Sequence, residues 1–473
     1  MVRSRFAPSP TGYIHIGGIR TALFAFLLAK KAQGRFILRI EDTDKARESE
    51  GADQHIIDCL NALSLAYDEG PKKRGEFGPY IQSERLDIYK EWANKLIASG
   101  RAYPDPRTKE ELDALRDQAK ASKQAFLIRN FRPQETLDWQ PGTLLRFKSD
   151  PKDYTWHDEV MGELSFPASS VDDFVLIKSD GFPTYNFAHV VDDHLMQISH
   201  VLRGQEFVSS VPNYLNLHEA LKIEHPLYAT LPHVLNEQGN KKLSKRDGAK
   251  DVLEYVKEGY LEEALVSFIA TLGWNDGTTQ EIYNLDELVD KFSLARIQRS
   301  GAMLDMKRLN WINGSLIRQL DENRLMDKIK NYWPAEAKDY PEEYKKRVAK
   351  ALQQRLKYFA ETPDLSLFFF KDQPLNLELI EKDKLLGPIE RQTLKDWLSL
   401  SKERLSQSDF SENDLSDKLN GLLKETNQKP GVLFSLLRIA VTMVPSSPGL
   451  AETMSILGQD VCFKRIDALA AAL

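Results

Sequence analysis

The chain has 473 residues, 42% hydrophobic and 28% charged, and a net charge of −6 from 64 basic and 70 acidic side chains. That is the composition of a globular protein with several cores, and it excludes collagen-like and disordered classes. Only Cys59 and Cys462 are present, far apart and without a CxxC pair, which excludes disulfide frameworks and thiolate zinc fingers.

No apolar run approaches the ~18 residues of a membrane-spanning helix. The opening MVRSRFAPSP places arginine and proline where a secretory signal has its apolar core, so the expected address is cytoplasmic, with no membrane partner. The acidic balance neither requires nor forbids a nucleic-acid partner, because a local basic face is compatible with it.

The first element is a strand over residues 2–7, followed by the turn-rich Pro8-Ser9-Pro10-Thr11-Gly12. A helix is predicted over 19–32, with Ala22, Leu23, Phe26 and Leu27 at helical spacing and Gly34 as its cap. A strand over 35–40 alternates Phe36, Leu38 and Ile40 and runs into Glu41-Asp42-Thr43-Asp44. Strand, crossover helix and strand together predict neighbouring parallel strands in an α/β sheet. Helices follow at 54–65 and 84–99, and residues 101–180 read as an α+β insertion with strands at 144–147 and 174–177. Parallel strands are expected to resume at 185–191 and 200–202, followed by a helix over Val211–Leu221. From Asp251 onward the chain reads as helix without a strand pair, dividing near Trp311-Ile312-Asn313-Gly314, and no solenoid repeat is present.

The chain carries no G-x-x-x-x-G-K-[ST], no G-x-G-x-x-G after the first strand, no G-x-S-x-G and no H-E-x-x-H. A P-loop ATPase, a dinucleotide dehydrogenase, a serine hydrolase and a zinc protease are thereby disfavoured. The first strand-to-helix turn instead holds His15-Ile16-Gly17-Gly18. A helix N-terminus offers unpaired N–H groups and a positive dipole end to an anion, and glycines let a flat ring approach the backbone. Alone, the tetrapeptide reads more readily as a surface histidine beside a glycine-rich turn. The second signal is Lys241-Lys242-Leu243-Ser244-Lys245-Arg246-Asp247-Gly248. Such lysines can neutralise a transferring phosphoryl group or leaving pyrophosphate, although an isolated basic run also reads as a solvated loop.

Together the two strings resemble the HIGH-like and KMSKS-like signatures of class I aminoacyl-tRNA synthetases, as His15-Ile16-Gly17-Gly18 and Lys242-Leu243-Ser244-Lys245-Arg246. Within that class, Arg5 to Gly12, Gly18 to Leu23, Arg39 to Asp44, Pro183 to Ala188 and Val190 to Met196 resemble the bacterial-type glutamyl-tRNA synthetases. The glutaminyl pattern, a Pro-Glu-Pro-Asn turn and a histidine in place of Gly18, is not matched. The resemblance implies a Rossmann-like parallel-sheet catalytic domain (1–80 and 182–235) with an inserted α+β acceptor-binding domain (81–181). All-helical parts follow: a stem-contact domain (236–310) and an anticodon-binding region (311–473, as 311–375 and 376–473).

The implied reaction joins L-glutamate to ATP as an adenylate and transfers glutamate to the 3′ end of tRNA(Glu). Positioning and charge stabilisation supply the rate, without a covalent enzyme intermediate. Glutamate brings two carboxylates and one ammonium. The resemblance assigns Arg5 and Arg203 to the carboxylates, Tyr185 to a hydroxyl hydrogen bond, Glu41 to the ammonium, and Ser9 and His189 to the pocket wall. Arg39 and Glu41 also read as a surface ion pair. For ATP it implies His15, Gly17, Gly18, Glu206, Lys242, Ser244, Lys245 and Arg246, with His15, Gly18, Lys242 and Lys245 at the catalytic step. Mg2+ is expected to arrive on the phosphates.

Many bacterial relatives carry a cysteine-rich zinc site after the helix that ends here at Gly100. This chain reads Arg101-Ala102-Tyr103-Pro104-Asp105-Pro106 there, so no zinc and no protein-held metal are expected. A basic helix over 342–359, with Arg355, is the expected tRNA contact, while Leu433, Phe434, Leu437 and Val441 read as packing core. A monomer is implied. Alternatives are a non-discriminating enzyme that also charges tRNA(Gln) and an inactive, RNA-binding paralogue. A shorter tRNA-modifying paralogue lacks the helical C-terminal region that this chain has.

Overall fold

The computed structural model describes every residue except Arg74, Gln124, 135–137 and 245–248. The expectations for Lys245 and Arg246 therefore lie outside the described residues. The chain divides into two compact units, Met1–Lys257 with Glu262–Leu309, and Glu258–Leu261 with Asn310–Leu473.

The first unit opens with strand β1 (Arg3–Phe6), helix α1 (Ile16–Lys31) and strand β2 (Arg35–Leu38), with β1 and β2 paired in parallel. Helix α1 is apolar on most of its surface, with Ile19, Leu23, Phe24, Phe26 and Leu27 buried, as a helix packed on more than one side requires. Its end differs from the expectation at Gly34. The left-handed residue is Gln33, at φ 50°. Gly34 donates its N–H to the Ala29 carbonyl, and a Cβ there would collide with the Val2 carbonyl oxygen. Its small size serves close approach to the start of β1.

Helices α2 (Ala52–Ala62) and α3 (Leu86–Ala98) follow, then β3 (Ala102–Asp105), α4 (Lys109–Ala121), β4 (Leu144–Phe147), β5 (Tyr154–Asp158), β6 (Gly162–Phe166) and β7 (Val175–Ile177). Strands β3, β4 and β7 form a three-stranded antiparallel sheet. The hairpin β5–β6 instead joins the main sheet. In this insertion, buried Asp105 accepts from Arg107 Nε at 2.6 Å and also from Arg146.

Helix α5 (Tyr185–Leu195), strand β8 (His200–Gly204), helix α6 (Val211–Leu221), and strands β9 (Leu227–Leu231) and β10 (Val234–Leu235) complete the sheet region. The expected strand over 185–191 is corrected: these residues open α5, with Thr184 in the extended N-cap conformation. Phe187 to Asp193 are all buried, so this stretch lacks the one-sided pattern that distinguishes a helix from a central strand. The main sheet has six strands in the order β2-β1-β8-β9-β5-β6. The chain runs from β1 to β2 on one side, and β8 lies on the other. The carboxyl ends at such a reversal of strand order frame a crevice.

Helices α7 (Val252–Lys257), α8 (Glu262–Ala270) and α9 (Leu285–Lys291) follow. Strand β11 (Ala302–Met303) pairs in parallel with β10, which precedes Asp251, and is a short strand in a stretch that the sequence reads as helix. The division between units falls within helix α10 (Met306–Ile317).

The second unit is helical: α11 (Glu322–Ile329), α12 (Glu342–Gln353), α13 (Thr362–Phe370), α14 (Glu378–Glu381), α15 (Arg391–Leu405), α16 (Glu412–Glu425), α17 (Pro430–Thr442), α18 (Leu450–Leu457) and α19 (Gln459–Ala472). Helix α12 stops short of the expected residue 359, and Tyr358 is extended. Leu433, Leu437 and Val441 on α17 are buried, while Phe434 is half-buried.

Candidate active site

A cavity of about 720 Å³ opens at the carboxyl ends of the parallel strands. Arg5, Phe6 and Ala7 reach it from β1, Glu41 from the segment after β2, Leu202, Arg203 and Gly204 from β8, and Leu231 from β9. The N-terminus of α1 supplies His15, Gly17, Gly18 and Arg20, the start of α5 supplies Tyr185, and Ser9, Glu206 and Lys242 also line it. His189 and Ser244 do not line the cavity. Arg355 belongs to the second unit, where it is exposed and donates from Nη1 to Ser446 Oγ at 2.8 Å.

A network of buried charges forms the floor. Arg5 donates from Nε and Nη2 to the two oxygens of Asp193, at 3.1 and 3.3 Å, and Nη1 lies 3.4 Å from the Leu202 carbonyl oxygen. A guanidinium has five N–H donors, so a hydrogen remains on each terminal nitrogen of Arg5 for a ligand. Arg39 binds Asp193 at 2.7 Å and Glu41 at 2.8 Å, and all three side chains are buried. The expected surface pair of Arg39 and Glu41 is thus corrected to an internal one. Burial opposes the charge on Arg39, but the carboxylates of Asp193, Glu41 and Asp192 hold its pKa well above the usual arginine value. Burial likewise opposes ionisation of Asp193, yet Arg5 and Arg39 draw its carboxyl below the usual range. On Glu41 burial outweighs the pull of Arg39 and Arg5, and its carboxyl lies above the ordinary value.

Arg203 faces this network differently. Both its terminal nitrogens are buried without a hydrogen-bond partner among the described residues. Its guanidinium carbon rests 4.9 Å from the ring centres of both Tyr214 and Tyr228, and 5.7 Å from that of Phe207. Aromatic faces support the cation without using its N–H groups. A buried cation with idle donors is costly in an empty protein and suited to a carboxylate ligand.

Tyr185 stacks on His189 with ring centres 4.7 Å apart, which explains why the histidine is not in the wall. His189 Nδ1 lies 2.7 Å from the Tyr185 carbonyl oxygen, to which it donates. Burial and then the Arg203 charge push its pKa well below the usual value, so the imidazole is neutral. Burial, then the nearby Glu41 carboxylate, raises the Tyr185 phenol, which stays a donor.

At the opposite wall, His15 is the N-cap of α1 and its Nδ1 accepts from the Gly17 N–H at 3.0 Å. A Cβ on Gly17 would meet that ring at 2.9 Å. The glycine therefore makes room for its own cap as well as for a ligand. Lys242 Nζ pairs with Glu206 Oε1 at 2.8 Å. Gly204 clears space for that glutamate, since a Cβ there would collide with its carboxylate. Arg20 was not singled out from sequence, yet it lines the cavity. It donates to the carbonyl oxygens of Leu272, at 3.1 Å, and Pro232. Burial lowers its pKa to about 10, against the pull of Glu206. Asp193 was also missed as a functional residue; adjacent aspartates in an apolar segment are the signal, since buried carboxylates demand cations.

The floor can therefore hold a small molecule with two carboxylates and an ammonium, and the α1 wall can receive a phosphate. The description of the class I tRNA synthetase catalytic domain (E and Q) matches residues 1–311, and that of an anticodon-binding domain matches 324–470. The chain is 39% identical to a glutamate–tRNA ligase of Dehalococcoides mccartyi over 472 residues, covering 98% of this chain and 96% of the relative. It is 38% identical to that of Chlorobium chlorochromatii, covering 98% and 97%. A crystal structure of a glutamate tRNA ligase from Elizabethkingia meningosepticum, in complex with its amino acid, superposes with a TM-score of 0.88 at 30% identity. That match covers 100% of this chain and 99% of the other. The chain belongs to the class I tRNA synthetases of the E and Q type.

Proposed function

We propose that the chain is a glutamate–tRNA ligase, forming glutamyl-adenylate from L-glutamate and ATP and passing the glutamyl group to the 3′ end of tRNA(Glu). The observation that carries this reading is the pair of buried guanidinium groups, Arg5 and Arg203, sharing a cavity with buried Glu41. Two fixed cations and one anion complement glutamate, and a site that binds polar groups strongly rejects substrates lacking them.

In this reading Arg5 and Arg203 take the carboxylates, Glu41 takes the ammonium, and Tyr185 donates a hydroxyl hydrogen bond, while Ser9 lies at the cavity edge. The α-carboxylate attacks the α-phosphorus of ATP, pyrophosphate leaves, and the terminal ribose hydroxyl of tRNA then displaces AMP. His15, Gly17 and Gly18 receive the phosphate and adenine side, and Lys242 exchanges Glu206 for phosphate oxygens. Lys245 and Arg246 complete the basic string by resemblance. Of the cavity carboxylates, Glu41 pairs with Arg39, Asp44 with Arg47 and Glu206 with Lys242. That donor set fits Mg2+ carried on ATP oxygens and water rather than in a protein cage, and the ion supplies charge neutralisation there.

The cysteine-free insertion is read as zinc-free, the enzyme as a cytoplasmic monomer, and Arg355 as a tRNA contact. The deciding experiment is charging of separate tRNA(Glu) and tRNA(Gln) transcripts with labelled glutamate, ATP and magnesium. Charging of tRNA(Glu) alone is expected. Charging of both assigns the non-discriminating enzyme, and charging of neither by tRNA-competent protein overturns the ligase reading in favour of an RNA-binding paralogue.

A further inference from the structure

Outside the cavity, three side chains of different chemistry converge. His55 and Cys59 stand one turn apart on α2, and Asp251 immediately precedes α7. Their potential donor atoms all lie within 4.8 Å of one another, and none of the three lines the cavity. His55 Nε2 is 3.0 Å from Asp251 Oδ2 and 3.4 Å from Cys59 Sγ, and Sγ is 3.9 Å from Asp251 Oδ1.

Both contacts fall on the same ring nitrogen. A relay of nucleophile, imidazole and carboxylate uses opposite nitrogens, so this is not a catalytic triad. Without an ion, the Nε2–H and the Cys59 S–H both turn on the one Asp251 carboxylate. One electron-accepting ion serves all three. Zinc bonds of about 2.0–2.3 Å in tetrahedral array place ligand atoms roughly 3.3–3.6 Å apart; with Oδ1 as the Asp251 ligand the separations here are 3.2, 3.4 and 3.9 Å, so shifts of a few tenths of an ångström close the array.

We propose that His55 Nε2, Cys59 Sγ and an Asp251 carboxylate oxygen form a binding site for a borderline-soft divalent cation of the zinc type, with water as fourth ligand. On binding, the Cys59 thiol releases its proton to solvent, His55 binds through the Nε2 lone pair, and three metal–ligand bonds form. One thiolate and one carboxylate neutralise a dication, so the buried site closes without net charge. Asp251 is already oriented, because its Oδ1 accepts from the Leu253 N–H at 3.0 Å. That bond is the N-cap contact at the start of α7. The ion would fasten α2 to the chain that follows the Lys242–Arg246 string.

The test is titration of the full-length reduced protein with Co2+, read by absorption. One equivalent producing a sulfur-to-cobalt charge-transfer band, displaced by Zn2+, is expected. Cys59→Ala should lack the band, and Asp251→Asn, which keeps the side chain's shape, should bind cobalt at least about tenfold more weakly. Absence of the band at saturating Co2+, its survival in Cys59→Ala, or wild-type affinity in Asp251→Asn would each overturn the assignment; survival would point to Cys462.

Discussion

The carboxylate of Asp193 receives the guanidinium of Arg5 through two hydrogen bonds, at 3.1 and 3.3 Å, with both side chains buried. Asp193 therefore aims a cavity-lining cation while itself standing away from the lining. Asp193→Asn should lose about 3–5 kcal/mol of stability, because Arg5 keeps its charge without its carboxylate partner and Arg39 is left with only Glu41 and Asp192. Urea unfolding measures this. The Asp193 carboxyl is held below its ordinary value. Its contribution is complete above the unfolded value of about 4 and is lost as pH falls through the lower folded value. The gap between wild type and variant should accordingly close in acid, and a gap independent of pH would refute the ion-pair account.

Arg203→Met separates binding from folding. Both terminal nitrogens of Arg203 are buried without partners among the described residues, so replacing the cation by a similar apolar stem should leave thermal stability unchanged or raised. Glutamate-dependent ATP–pyrophosphate exchange, with tRNA present, should fall by at least about a hundredfold, the scale of one lost charged hydrogen-bonding partner. Strong destabilisation with activity retained would contradict this assignment.

Acid should weaken glutamate binding through Glu41. In the empty site its carboxyl lies above the ordinary value because burial dominates, and an ammonium ligand stabilises only the ionised form. Affinity should fall as pH drops through that raised value, with onset above about 4.3, the ordinary glutamate pKa. Calorimetric titration of wild type and Glu41→Gln checks this. The variant should bind weakly with a flatter profile, and identical profiles would remove Glu41 from the ammonium site.

Gly34→Ala probes packing alone. The added methyl meets the Val2 carbonyl oxygen, and relieving such overpacking costs about 1–3 kcal/mol. A lower melting temperature with unchanged kcat/KM at a permissive temperature is expected. An unchanged melting temperature would show that the β1 start yields without cost.

The β1–α1–β2 unit was readable because each signal is local: an apolar helix face, a turn and an alternating strand within about forty residues. Arg5 and Glu41 could be named from motif strings and Arg203 from the family resemblance, but their different electrical states could not. Those states depend on Asp193 and Tyr214, which folding brings from distant positions. Tyr185 to Val191 misled because a helix buried on all sides from Phe187 to Asp193 and rich in β-branched and aromatic residues has the same composition as a central strand. His55 and Cys59 are visible as an i, i+4 pair, yet their third partner lies 192 residues after Cys59, beyond any spacing rule.

The His15 cap sets when the ordering cost of the nucleotide wall is met. Because Nδ1 accepts from the Gly17 amide, the neutral ring must carry its proton on Nε2, so one backbone hydrogen bond selects both rotamer and tautomer. The entropy of fixing that donor is expended when α1 folds, so a ligand reaching this wall of the cavity meets a group already set in register.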